Sequence, residues 1–126
     1  MSKTRFFYCA HCGNIVGMIH DAGVPMMCCG EKMKNLEAGV TDASVEKHVP
    51  VVEVSGDKVK VTVGSVIHPQ TEEHHIAWVY LLTNVGGQRK CLEKDSEPVV
   101  EFALANEKPI AVYAYCNLHG LWKTDI

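Results

Sequence analysis

Cys9 and Cys12 form a C-x2-C pair, and after fifteen intervening residues the adjacent cysteines Cys28 and Cys29 follow. A C-x2-C turn lets two thiolates converge on one ion while backbone N–H groups bond their sulfurs. Two such pairs make a tetrahedral four-sulfur site, which suits zinc or iron. Adjacent side chains diverge, so Cys28 and Cys29 reach one ion only over a locally twisted backbone, and a distorted tetrahedron is expected. Both metals accept four thiolates, so the spacing leaves a structural zinc ribbon standing beside an iron centre. With four thiolates available, His11 and His20 are not needed as ligands and are expected to be exposed.

A second set of metal-capable side chains occupies the rest of the chain. The stretch CNLHG places Cys116 and His119 close together near the C-terminus, and His48, His68, His74 and His75 precede them. A single histidine is most often a surface or hydrogen-bonded residue. Here several fall in segments bordered by Gly and Pro, where distant parts of a chain can meet. Residues two apart on a strand share a face, so His74 is expected to lie with Ile76 and Trp78 while His75 points away. Only one of the two can enter a given site, and alternation does not say which. Cys91, in QRKCLEK, reads as a passive thiol on a hairpin.

The elements that must position these groups fall into two parts. Residues 1–36 carry four cysteines and four glycines, too few residues to bury a core without a metal or a partner. Residues 37–47, EAGVTDASVEK, read as a polar connector. From Val49 onward short β segments alternate with turns: VVEV and VKVTV flank SGDK as a hairpin, with Val59, Val61 and Val63 on one face. HIAWVYLL is apolar on both faces, as in a central strand, and RKCLE, VVEFAL and IAVYAYC follow. Pro50, Pro69, Pro98 and Pro109 lie at segment edges, where a missing N–H is tolerated. About six or seven short strands with regular turns predict an all-β, immunoglobulin-like β-sandwich over residues 37–126, carrying a small N-terminal metal-binding domain over 1–36.

Composition narrows the function classes. The chain is 47% hydrophobic and 21% charged, with a net charge of -3, so it has no basic field for a phosphate backbone and no nucleic-acid partner is expected. No apolar run approaches the roughly 20 residues that span a bilayer, and MSKTRFFYCAHCG has no apolar signal core. Neither a membrane partner nor secretion is expected, and the cytoplasm is the expected location. Six cysteines at metal-ligand spacing in a reducing compartment favour metal binding over disulfides.

The motifs EKHVPV, HPQTEEHHIAW and YCNLHGLW, preceded by the C-x2-C and Cys-Cys module, together resemble desulfoferrodoxin, the two-iron class of superoxide reductase. The resemblance runs over essentially the whole chain, in family order. It implies two Fe ions per chain: one in a desulforedoxin-like domain held by Cys9, Cys12, Cys28 and Cys29, and a catalytic one in the β-sandwich. The catalytic ligands it implies are equatorial His48, His68, His74 and His119 with axial Cys116, the family pattern H-x-I-x-W selecting His74 over His75. Recombinant material can carry zinc or another divalent metal instead. Three departures concern neighbours rather than ligands: Gln70 where Met is common, His75 where an aromatic is frequent, and Ala114 where an acidic residue often stands.

The implied activity is one-electron reduction of superoxide to hydrogen peroxide. Ferrous iron with four neutral imidazoles and one thiolate carries a net charge of about +1, which draws a small anion to an open position. The thiolate donates electron density towards the opposite position, as in haem enzymes. The resemblance implies that Lys47 adds positive charge at the entrance and orders water for proton delivery, and that Glu46 takes the sixth position once iron is ferric. Without it, Glu46 and Lys47 read as a solvated charge pair. It also implies a homodimer and re-reduction by rubredoxin or a similar small carrier. Two rival readings are a non-catalytic two-iron electron-transfer protein and a zinc-stabilised binding module whose histidines decorate loops.

Overall fold

The computed structural model describes residues 5–93 and 95–126 and divides the chain into two compact units, Met1–Glu37 and Ala38–Ile126. In the first unit, β1 (Phe6–Tyr8) pairs antiparallel with β2 (Ile15–Gly17) on one side and with β5 (Lys34–Asn35) on the other. Strands β3 (Met27–Cys28) and β4 (Glu31–Lys32) form a separate two-stranded ribbon. Among the described residues of this unit, only Phe6 and Cys9 are buried hydrophobics. So little apolar burial cannot offset the entropy of ordering the chain, which leaves the cysteine cluster to stabilise the unit.

The second unit is a two-sheet sandwich. It opens with a single helical turn, α1 (Val45–His48), at the end of the stretch read from sequence as a connector. Strands β6 (Pro50–Ser55), β7 (Lys58–Val63) and β10 (Val99–Ala103) form one antiparallel sheet in the order β10-β7-β6. Strands β8 (Ile76–Thr83), β9 (Gly86–Cys91), β11 (Pro109–Cys116) and β12 (Gly120–Asp125) form the other, in the order β12-β11-β8-β9. The seven strands give the expected all-β sandwich. SGDK turns the β6–β7 hairpin, with Ser55 opposite Lys58. The strand β12 was not among the segments read from the sequence, because Cys116 and His119 drew that stretch into the site instead.

The core lies between the inner faces. Val59, Val61, Val63 and Phe102 from one sheet meet Ile76, Val79, Leu81, Val112, Ala114 and Cys116 from the other, all essentially inaccessible. Alternation explains Val59, Val61 and Val63, as it does Val112, Ala114 and Cys116. It fails between Ile76 and Val79. Tyr115 pairs with Trp78 but Cys116 pairs with Ile76, so Ala77 is an extra residue in β8. This β-bulge switches the inward set from Val79 and Leu81 to Ile76. Trp78 is left on the other face, where it stacks on Tyr115 with ring centroids 5.4 Å apart.

That geometry corrects the expectation for His74. Both His74 and His75 precede β8, in a loop, and Ile76 and Trp78 do not share a face. Strand alternation therefore has no bearing on which histidine turns inward.

Candidate metal centres

In the first unit the four cysteines converge. Their Sγ atoms lie within 4.8 Å of one another, with Cys12 to Cys28 at 3.6 Å and Cys28 to Cys29 at 4.0 Å. A metal–sulfur bond of about 2.3 Å makes the edge of a regular tetrahedron about 3.8 Å, so the spacing fits a single ion. A disulfide needs about 2.05 Å, and all six cysteines are free. Cys29 adopts a left-handed backbone with φ of 52°, followed by Gly30 at 77°. This is the local twist an adjacent pair requires, held at a position where a non-glycine residue is uncommon.

The cluster is electrostatically unbalanced on its own. The backbone N–H of Cys12, 3.5 Å from the Cys9 sulfur, is the main influence lowering that thiol to about 6. Hydrogen bonding with Cys12 and then Cys9 pushes Cys29 up to about 12. Four thiolates this close require a cation. His11 and His20 are both exposed, and His11 lies 3.1 Å from the Glu31 carboxylate.

In the second unit five donors meet at one end of the sandwich. His48 ends the α1 turn and His68 follows β7, where its N–H donates to the Val63 carbonyl at 3.0 Å. His74 sits in the loop before β8. Cys116 ends β11, and His119 lies in the three-residue loop that joins it to β12, since Cys116 pairs directly with Gly120. Gly120 has φ of 78°, the left-handed position that closes a three-residue hairpin. That tight turn folds the His119 ring back to 3.8 Å from the Cys116 sulfur.

One donor atom each from His48, His68, His74 and Cys116 lies within 4.8 Å of the others. His119 Nδ1 joins them, 3.1 Å from His48 Nε2. His48 Nδ1 donates to the Ser44 carbonyl at 2.6 Å, and His68 Nδ1 donates to the Pro69 carbonyl at 2.7 Å. A carbonyl only accepts, so both Nδ1 atoms carry protons. The two neutral rings then aim bare Nε2 lone pairs at each other across 3.1 Å. Such an arrangement is repulsive without a cation between them. Among the described residues, His74 Nε2 is also buried and has no hydrogen-bond partner.

A proton is a poor candidate for that cation. Burial is the main cause lowering His48, His68 and His74, with His68 held down to about 4. Burial also pushes the Cys116 thiol up, against the pull of the Leu118 and His119 backbone N–H groups. Four imidazoles and one thiol that ionises when a cation arrives make a donor set suited to a borderline-soft transition metal. Trp122 walls the site: its ring stacks on His48 with centroids 5.0 Å apart, and its Nε1 donates to the His119 carbonyl at 3.1 Å.

The structure separates the remaining candidates. His75 stays outside the cluster, its Nδ1 shared between the carbonyls of Thr71 and Glu72 at 2.9 and 3.1 Å. Glu46 and Lys47 are exposed on α1 beside His48, and the charge on Lys47 reaches His48 and His74. Hydrogen bonds from its own N–H and then the Ser44 hydroxyl keep the Glu46 carboxyl below its usual range. Cys91 is exposed on β9, with Arg89 Nη1 donating to its sulfur at 2.8 Å. Sequence reading did not single out two residues that shape the site: Gly64, on which α1 rests, and Asn117, which braces the His74 loop.

Comparison with known proteins agrees with this division. The desulfoferrodoxin family model matches residues 40–125, and the model of the desulfoferrodoxin N-terminal domain matches residues 2–36. A desulfoferrodoxin of Nitratidesulfovibrio vulgaris is 44% identical over 124 residues, covering 98% of both chains. A superoxide reductase of Pyrococcus horikoshii is 43% identical over 99 residues, covering 64% of this chain and 86% of that one. The crystal structure of the superoxide reductase from Treponema pallidum superposes with a TM-score of 0.83 at 45% identity, covering 98% of this chain and 100% of that one.

Proposed function

The chain belongs to the desulfoferrodoxin family, and on that premise we propose that it is a superoxide reductase, converting superoxide to hydrogen peroxide with one electron and two protons. The observation that carries the reading is the pair of bare, buried Nε2 lone pairs of His48 and His68 facing each other across 3.1 Å beside the Cys116 thiol. In this reading His48, His68, His74, His119 and Cys116 hold the catalytic iron, and Cys9, Cys12, Cys28 and Cys29 hold the second iron. An iron held by those five residues would supply the electron for superoxide and, as a cation, would attract it.

The chain's own groups do the rest. The Ser44 and Pro69 carbonyls fix the His48 and His68 tautomers, so their Nε2 atoms stay free to ligate. The stacked Trp122 ring and the apolar core behind Cys116 exclude water from the buried side. Lys47, exposed next to His48, raises the local concentration of a small anion and offers its Nζ to order water for proton delivery. Glu46 provides an ionised carboxylate that competes with anionic product on the open side. A rubredoxin-like carrier restores the electron, and the protein works as a cytoplasmic homodimer.

Metal analysis and rapid mixing test this reading. Two irons per chain are expected, with a second absorption appearing only on full oxidation. Two colourless zincs in protein isolated from iron-replete cells would remove the basis for the enzyme. Mixing the reduced protein with superoxide should form peroxide faster than spontaneous dismutation. Peroxide at the spontaneous rate from a two-iron protein would instead leave an electron carrier.

A further inference from the structure

His48 and His68 are oriented through their own rings, each Nδ1 donating to a carbonyl. His74 is different. Among the described residues its ring has no hydrogen-bond partner, and its Nε2 is buried and bare. Where that imidazole stands therefore depends on how the main chain around it is held.

Gln70 bonds both the N–H and the carbonyl of Ile76, and two further side chains grip the chain at His74 and on either side of it. Thr71 does so locally: its hydroxyl accepts the His74 N–H and donates to the His74 carbonyl, both at 3.1 Å. The other is Asn117, more than forty residues away in sequence. Its Oδ1 accepts the His75 N–H at 2.8 Å, its Nδ2 donates to the Glu73 carbonyl at 2.9 Å, and its own N–H donates to the His75 carbonyl at 3.1 Å. These bonds grip the residues on either side of His74. Asn117 also directly follows Cys116, so one residue ties the loop carrying a histidine to the strand end carrying the sulfur.

We propose that Asn117 is a positioning residue that sets the His74 imidazole relative to the Cys116 sulfur, an inference that rests on reading this cluster as a metal site. Asn117 is exposed, and its bonds compete with water. As a purely structural contact each would contribute only about 1 kcal/mol to stability. As a brace behind a metal ligand its loss carries a different signature, since partners that orient ligands typically govern metal affinity by about 10–100-fold.

The test is an anaerobic titration of the full-length protein with Fe2+, with the visible and electron paramagnetic resonance spectra of the oxidised second centre recorded afterwards. Asn117→Ala should bind the second iron about 10–100-fold more weakly and shift the spectrum of that centre, while the four-cysteine spectrum stays as in wild type. Thr83→Val serves as the structural control. It removes the partly buried bond from the Thr83 hydroxyl to Glu107 Oε1, at 2.6 Å, and should lower thermal stability without moving either iron's affinity or spectrum. If Asn117→Ala does not fold, Asn117→Ser, whose short hydroxyl cannot span both contacts, is read in the same way. Second-site affinity within twofold of wild type and an unchanged spectrum would overturn the inference. A wild-type protein that takes up only one metal would sink the underlying functional reading instead, and the two failures are distinct.

Discussion

Replacing His74 and His75 one at a time is the sharpest probe of the second centre, because the two are neighbours with opposite surroundings. The His74 ring lies 4.5 Å from the His68 ring and 4.9 Å from the His119 ring, with its Nε2 buried and, among the described residues, unpaired. Removing it takes one of five donors from a site whose other four remain in place. Structural metal sites with four ligands bind with about 10–16 kcal/mol, or about 3 kcal/mol per ligand, so His74→Ala should weaken the second metal by at least about 100-fold. The cavity left behind can admit water as a substitute donor, which limits the loss without reversing it.

His75→Ala removes a ring whose hydrogen bonds go to the Thr71 and Glu72 carbonyls within its own loop. That costs about 0.5–1.5 kcal/mol of stability and should change metal affinity by less than about threefold. The assay is competition for Fe2+ against a chelator under anaerobic conditions, with the four-cysteine centre as an internal reference for folding. Loss of the second metal in His75→Ala with retention in His74→Ala would refute the placement of the loop and the assignment of ligands built on it.

Three other perturbations test the scaffold. A Cβ on Gly64 would sit 2.7 Å from the Glu46 carbonyl oxygen and 2.9 Å from the Lys47 carbonyl carbon, so Gly64→Ala must push α1 away from β7; chemical denaturation should show a loss of about 1–3 kcal/mol, with weaker binding of the second metal. Trp122→Phe keeps an aromatic face for His48 but loses the Nε1 bond to the His119 carbonyl, and thermal melts should show a loss of about 1 kcal/mol with both metals retained. In the metal-free protein burial holds the folded pKa values of His48, His68 and His74 below the unfolded 6.5, so their contribution is present above 6.5 and is lost as pH falls, for His68 down to about 4. For His68 this amounts to about 2–3 kcal/mol, and the sandwich melting temperature, followed by Trp78 and Trp122 fluorescence, should fall between pH 6.5 and 4.5. A melting temperature independent of pH across that window would contradict the burial of neutral imidazoles.

Much of the architecture was legible because period-2 alternation and turn residues are local signals. Val59, Val61 and Val63, and the SGDK turn between the strands that flank it, follow from that alone. The four-cysteine cluster was legible from spacing, and the twist at Cys29 from the adjacency of its pair. Local signals do not report register between distant strands. The bulge at Ala77 exists only because β11 pairs with β8 around Cys116, and it cancelled the alternation argument for His74. The α1 turn was hidden for a similar reason, since four residues are too few to show a helical period, and it is held by contacts from residues 64–66 such as Val66 N–H to the Glu46 carbonyl at 2.8 Å.

The same contrast explains why the histidines could be found but not arranged. A ligand is visible in sequence as a residue type, whereas the group that orients it is a backbone carbonyl or an amide that any segment can supply. His48 and His68 show this directly, since the carbonyls of Ser44 and Pro69 select which ring nitrogen is bare, and no side-chain identity encodes that choice. Orientation by carbonyl constrains each ring separately. The hairpin of CNLHG does more, because Gly120 closes the turn that folds His119 back on Cys116 while Asn117, between them, reaches across to the His74 loop. Five residues therefore contribute two donors and one brace for a third, and a change in this turn should disturb the centre more than an equal change at any other single loop.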